Sequence, residues 1–251
     1  MRARRSTRAV GSPRPISVVP RRPFPWWIPI AATLSGGLIW WAPWEPDPVE
    51  PIVFSADGPR MTAPMCVAVM IDESGSMADS DPQLARPAAL LGASSFLGEF
   101  GLATDQVAGG WFADTAEISP LLSAAKGLTE LPQDSTVPSG GGTNMVAAID
   151  RAGQTLETCP FGQTPVLVLV TDGVADDFEA VGQAISRLPS GTTTQLLAID
   201  ATGSLASVSS EWAHYAPSVE VEPVTALDRD GVGTGMANVL SRLTGQKVSA
   251  P

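Results

Sequence analysis

Asp72, Ser74 and Ser76 stand at alternate positions in the stretch CVAVMIDESGSM (residues 66–77), directly after six apolar residues. A carboxylate and two hydroxyls so spaced can point together from one curled loop, and Gly75 lets the loop curl with no side chain in the way. Such a set of anionic and neutral oxygens suits a hard divalent cation. The same residues also serve as turns and helix caps, because Asp and Ser bond readily to nearby backbone. Two further stretches bear on the choice. SGGGTNM (residues 139–145) sets Thr143 after a run of glycines at the mouth of an expected helix, and PVLVLVTDG (residues 165–173) is a second apolar run, ending in Asp172.

The elements that must carry these residues follow from the pattern. Both apolar runs have strand length and the composition of parallel strands covered on two faces. Ligands in open α/β sheets gather at the carboxyl ends of such strands. Helical spacing marks residues 82–100, with Leu84, Leu90, Leu91, Phe96 and Leu97 on the apolar face and Gly101 as a stop signal. Helices are also expected over 145–156, 177–188 and, at the end, 236–243. Further strands are expected over 105–112, 116–122, 193–199 and 219–224. Alternating strands and helices imply an α/β, doubly wound, mostly parallel sheet with helices on both faces.

The order of DxSxS, then Thr after glycines, then a strand ending in TDG resembles the von Willebrand factor A family, over about residues 64–246. The resemblance implies a metal-ion-dependent adhesion site on Asp72, Ser74, Ser76, Thr143 and Asp172, all five positions holding the family's residue types. It implies Mg2+ as the ion, with Mn2+ or Ca2+ as alternatives, some ligands acting through water, and a protein partner whose own carboxylate fills the open place. Three neutral hydroxyls leave the ion less neutralised than five carboxylates would, so an anion is still attracted.

The resemblance further implies that the strands after Cys66 and Cys159 are neighbours, with both cysteines at the end opposite the metal. A disulfide and two unlinked buried thiols are the two readings, the bridge requiring an oxidising compartment. Five acids flank the proposed site: Glu73, Asp79, Asp81, Asp176 and Asp177. They read either as helix caps or as a partner-facing rim, and the rim would favour a partner that sets its acidic residue among Lys or Arg.

The net charge of −11 conceals an asymmetry, since residues 1–22 hold seven Arg and no acid while the remainder holds eight basic residues against 26 acidic ones. That balance speaks against nucleic acid as a partner of the acidic part, where phosphate would have to be neutralised. Residues 1–22 read as a basic, disordered cytoplasmic tail. Residues 23–44 carry no charge, are long enough to span a bilayer as a helix, and have Trp26 and Trp27 at one end and Trp40, Trp41 and Trp44 at the other. The Arg-rich flank sets the amino terminus inside and the large domain outside. A cleaved signal peptide is the competing reading, and no small-x-small site follows the apolar stretch. Residues 45–63 read as a Pro-rich spacer, 64–246 as the domain and 247–251 as a tail.

The expected function is that of a single-pass, membrane-anchored, extracytoplasmic binding module, not an enzyme. A metal-dependent hydrolase needs a general base, and Glu73 is the only carboxylate immediately beside the loop. A structural envelope protein with a vestigial site is the third reading. No GK[ST] or GxSxG motif points to phosphate or serine-hydrolase chemistry.

Overall fold

The structure is a computed structural model, and it describes residues 51–200, 205–224 and 227–249. All of them fall in one compact unit, 48–251. The expected cytoplasmic tail and membrane span, residues 1–22 and 23–44, lie outside the described residues. Among the described residues no helix is long and apolar enough to cross a membrane.

The chain begins with β1 (Ser55–Asp57), β2 (Met65–Asp72), α1 (Met77–Ser80) and α2 (Ala88–Phe100). There follow β3 (Gln106–Phe112), β4 (Ala116–Ile118), β5 (Leu122–Ser123), α3 (Ala124–Glu130), α4 (Met145–Leu156) and β6 (Thr164–Thr171). The last part holds α5 (Phe178–Ser186), β7 (Thr193–Ala198), α6 (Leu205–Tyr215), β8 (Glu220–Pro223), α7 (Arg229–Thr244) and β9 (Lys247–Ser249).

The main sheet has the order β4-β3-β2-β6-β7-β8, with β5 also on β3. β2, β3, β6, β7 and β8 are parallel, and only β4 and β5 run against their neighbour. The sheet is therefore mixed but mostly parallel, as expected. The chain leaves β2 on one side for β3 and returns on the other as β6, so the topological switch point lies between β2 and β6. That is where open α/β sheets bind ligands.

β2 is buried along its whole length, and its period of two explains why. Val67, Val69 and Ile71 face a core built with α2 and α7, while Cys66, Ala68 and Met70 face a second core built with α4, α5 and α6. Helices cover both faces. Where α2 crosses α7 the backbones touch: a Cβ on Gly92 would stand 2.6 Å from the carbonyl oxygen of Gly233.

The spacer expected over residues 45–63 is corrected for its described part. Ile52 and Phe54 are core residues with exposed Val53 between them, an alternation that binds this stretch to the domain. β1 pairs antiparallel with β9, so residues 247–249 are likewise part of the fold, not a tail. Arg60 pairs with the buried carboxylate of Asp105, whose Oδ1 also accepts the N–H of Met65 at 2.8 Å.

The long helix expected over 82–100 starts only at Ala88, with Pro87 as its N-cap. A proline disfavours the α conformation in the residue before it, so the helix does not extend back past Pro87 and is not kinked there.

Candidate metal centre

Asp72 closes β2, and Thr171 closes β6 just before Asp172, so the two carboxylates flank the switch point. Both are buried, at 0% and 3% exposure. Each is held by hydrogen bonds from close by. Asp72 Oδ1 accepts the N–H of Ser74 at 2.7 Å, and Oδ2 accepts the Thr171 hydroxyl at 2.6 Å. Asp172 Oδ1 accepts the N–H of Val174 at 3.0 Å, and Oδ2 accepts the Ser80 hydroxyl at 3.0 Å.

Ser74 and Ser76 present their hydroxyls to each other, Oγ to Oγ at 3.2 Å. Ser76 is the N-cap of α1, yet its side chain caps no backbone N–H. The helix-cap reading of this serine does not hold, and its hydroxyl is left to the site.

Thr143 arrives on the glycine loop before α4, and that loop is stitched to the first one. Gly75 N–H donates to the Gly141 carbonyl at 3.2 Å, and Gly140 N–H to the Glu73 carbonyl at 2.8 Å. Gly140 and Gly141 take φ of 90° and 83°, where other residues are strained. Asp176 clasps Thr143 from both sides, its carboxylate accepting the Thr143 N–H at 2.8 Å and its own N–H donating to the Thr143 carbonyl at 3.1 Å. Among the described residues no hydrogen bond engages the Thr143 hydroxyl. The five expected residues thus belong to three loops that the backbone ties together.

Burial pushes the Asp72 carboxyl from its ordinary 3.8 up to about 6, against hydrogen bonds from Ser74 and Thr171, and the charge of Asp172 adds to the rise. Among the described residues, no ion pair involves either Asp72 or Asp172. Two buried carboxylates without a cation of their own, beside two hydroxyls facing each other, fit a divalent ion. The described residues contain no cluster of three or more His, Cys, Asp or Glu suited to a metal, and the donor set here is two carboxylates with hydroxyls.

The acids expected at the rim separate. Glu73 and Asp81 are buried, at 8% and 0% exposure, and do not reach the rim. Arg86 draws both inward, its Nε donating to Glu73 at 3.0 Å and its Nη1 to Asp81 at 3.1 Å. Asp81 also caps the backbone N–H groups of Ala85 and Arg86 at 2.8 and 2.9 Å. Asp177 is half-buried and caps a different helix from its own, accepting the N–H groups of Met145 and Val146 at the head of α4. Asp79 and Asp176 are exposed.

Ser80 and Thr171 support the carboxylates and were not among the expected residues. Ser80 lies one helical turn after Ser76, a spacing that could have marked it. Thr171 is visible as the T of TDG. The disulfide joins Cys66 to Cys159, Cα to Cα 5.9 Å, at the end of the sheet opposite the carboxylates.

Residues 67–174 match the family described as von Willebrand factor type A domain. No curated protein matches the sequence. Among solved structures, the fold is similar to the pilus adhesin SpaC of Lactobacillus rhamnosus GG, at 15% identity and TM-score 0.55 over 74% of this chain and 31% of that one. It is similar to a von Willebrand factor type A protein from Catenulispora acidiphila, at 17% identity and TM-score 0.53 over 80% and 52% of the two chains. The manganese-loaded TRAP protein of Plasmodium vivax is similar at 16% identity and TM-score 0.53, over 78% of this chain and 79% of that one. The chain thus spans about a third of the length of the pilus adhesin. Its α/β architecture is that of a von Willebrand factor type A fold.

Proposed function

We propose that this von Willebrand factor type A fold is a binding module, not an enzyme, and that it docks a protein partner through a divalent cation. The observation that carries the reading is the pair of buried carboxylates, Asp72 and Asp172, gathered at the switch point with no ion-paired cation among the described residues. Asp72, Ser74, Ser76, Thr143 and Asp172 would hold the ion. Bound there, Mg2+, Mn2+ or Ca2+ supplies a coordination place that a carboxylate from outside can fill.

The chain's own residues prepare that event. Two carboxylates balance a divalent charge, and the remaining donors are neutral, so an incoming carboxylate is not repelled as it would be by a third acidic ligand. Thr171 and Ser80 fix the orientation of the two carboxylates. Arg86 removes Glu73 from play: paired and buried, it is not poised to act as the general base of a hydrolase. The similar folds include a pilus adhesin and a manganese-loaded protein, in keeping with adhesion and a divalent ion.

Residues 23–44 are proposed as a membrane anchor with the domain outside the cytoplasm, and the Cys66–Cys159 bridge suits an oxidising compartment. External protease should then cut the domain in intact cells stripped of their wall. Resistance until lysis would reverse the orientation.

The docking reading is tested by immobilising the full chain and offering envelope extract. A protein retained in Mg2+, released by EDTA and not retained by Asp172→Ala is the expected result. Retention indifferent to EDTA would overturn it.

A further inference from the structure

The loop that brings Thr143 to the candidate centre is SGGGTN, with three glycines in a row. Glycine has more backbone freedom to lose on ordering than any other residue, so a threonine delivered on such a run needs tethers to stay in one place. The tethers come from two sides. Asp176 holds Thr143 itself, through its carboxylate and its N–H. The turn between β3 and β4 holds the residue before Thr143 and the residue after it. Asp114 Oδ1 accepts the Gly142 N–H at 2.9 Å, and the Ala113 carbonyl accepts the Asn144 N–H at 2.9 Å. The Asp114 carbonyl accepts a further bond from Asn144 Nδ2 at 3.4 Å.

Two carboxylates therefore grip consecutive N–H groups, and they converge on one glycine. A Cβ on Gly142 would stand 2.3 Å from Asp176 Oδ2 and 3.1 Å from Asp114 Oδ1. Gly142 does not take a positive φ, so it is glycine for space and not for backbone conformation. A Cβ on Gly141 would meet Asp114 Oδ2 at 2.2 Å. The glycines and Asp114 fit only as a set.

As a device for stability this grip is poor. Asp114 is exposed, and an exposed hydrogen bond returns little because water competes for both partners. Neither Asp114 nor Asp176 has an ion pair among the described residues, so two like charges stand close together at Gly142 without relief. What the grip achieves is placement. It fixes the backbone on both sides of Thr143 and leaves the Thr143 hydroxyl out of every described hydrogen bond. We propose that Asp114, acting with Gly142, is a positioning residue that aims the Thr143 hydroxyl into the metal centre. Its purpose rests on the metal-docking reading, whereas the grip on Thr143 does not.

The effect of Asp114 should pass through Thr143 alone. In calorimetric titration of the full chain with Mg2+, Asp114→Ala should bind about ten-fold more weakly than the wild type, as loss of a supporting bond to a metal site does. Asp114→Asn keeps an acceptor oxygen and should stay within about two-fold. In a Thr143→Ala background, Asp114→Ala should cost nothing further, because the hydroxyl it aims is gone. A second readout needs no metal. In EDTA, three-bond couplings to the Thr143 methyl should report one χ1 rotamer in the wild type and in Asp114→Asn, and an average of rotamers in Asp114→Ala. Wild-type affinity in Asp114→Ala, an equal loss in Asp114→Asn, or an undiminished loss on top of Thr143→Ala would each overturn the assignment. Unchanged couplings in Asp114→Ala would sink the grip whatever the metal does. A wild type that binds no Mg2+, with couplings that average in Asp114→Ala, would sink the metal reading and leave the grip standing.

Discussion

The Ser80 hydroxyl donates to Asp172 at 3.0 Å, joining the end of α1 to the end of β6 across 92 residues of sequence. This bond ties the loop that carries the serines to the second carboxylate of the candidate centre. It makes Ser80 a supporting residue whose removal leaves all five expected ligands in place.

Asp172→Ala should abolish divalent-ion binding while leaving the fold intact, since the side chain lies past the end of its strand. Ser80→Ala should keep binding but weaken it by about ten-fold, the low end of what loss of a supporting hydrogen bond costs a metal site. Calorimetric titration with Mg2+ checks both. Equal affinities for Asp172→Ala and the wild type would refute the ligand assignment.

The Asp72 carboxyl, raised by burial to about 6 from 3.8, makes the ion-free protein sensitive to pH in a stated direction. Its folded value lies above the unfolded one, so the native state holds the proton more tightly. Its contribution to stability is fully present below about pH 4 and is lost as pH rises to about 6, by up to about 3 kcal/mol at roughly 1.4 kcal/mol per unit. Measured in EDTA, the wild type should lose stability relative to Asp72→Asn over that window. Saturating Mg2+ should reverse the trend. A wild-type-minus-variant difference that is flat with pH would contradict this.

Much of this was legible in the sequence, and what was not has identifiable causes. β2 and β6 stand out because strands buried on both faces are uninterrupted apolar runs, and α4 because its apolar residues recur at helical spacing. Asp72, Ser74, Ser76, Thr143 and Asp172 were readable as types at spacings. Their tertiary supports were visible as residues but not as contacts: Ser80 and Thr171 reach their partners across 92 and 99 residues. The fate of Glu73 and Asp81 was equally hidden, because it depends on where Arg86 points. α6 escaped notice because LASVSSEWAHY mixes serines into its helical face, and β1 with β9 because three-residue strands carry no period of their own.

Arg86 serves two buried carboxylates at once, so Arg86→Met should be severe. It would leave Glu73 and Asp81 unpaired in the interior, a loss of about 3–5 kcal/mol. Urea denaturation should show the midpoint falling accordingly. A change below about 1 kcal/mol would mean that water already reaches both acids.

The bridge between Cys66 and Cys159 closes a loop with a sequence separation of 93. Replacing both cysteines by serine should cost about 4.6 kcal/mol on a chain-entropy basis. Guanidinium unfolding of the variant, and of the wild type with and without reductant, checks this. Thiol titration of the denatured, unreduced chain should find no free thiol, and two titratable thiols would refute the bridge.

β2 also sets how the domain bears mechanical load. Its last residue is Asp72, and ahead of its first lies the stretch of Ile52, Phe54 and β1 that is packed in the core and paired with β9, so a partner pulling on the site would load this strand once that stretch gave way. Parallel neighbours β3 and β6 each hold it through seven registered pairs, and such a pull shears both ladders together instead of unzipping them bond by bond. Near the start of β2, the covalent link from Cys66 to Cys159 hands part of the tension to the segment leading into β6, whose far end leads to Asp172. Both carboxylate-bearing strands would therefore take such a load in parallel, an arrangement that resists peeling when stretched lengthwise.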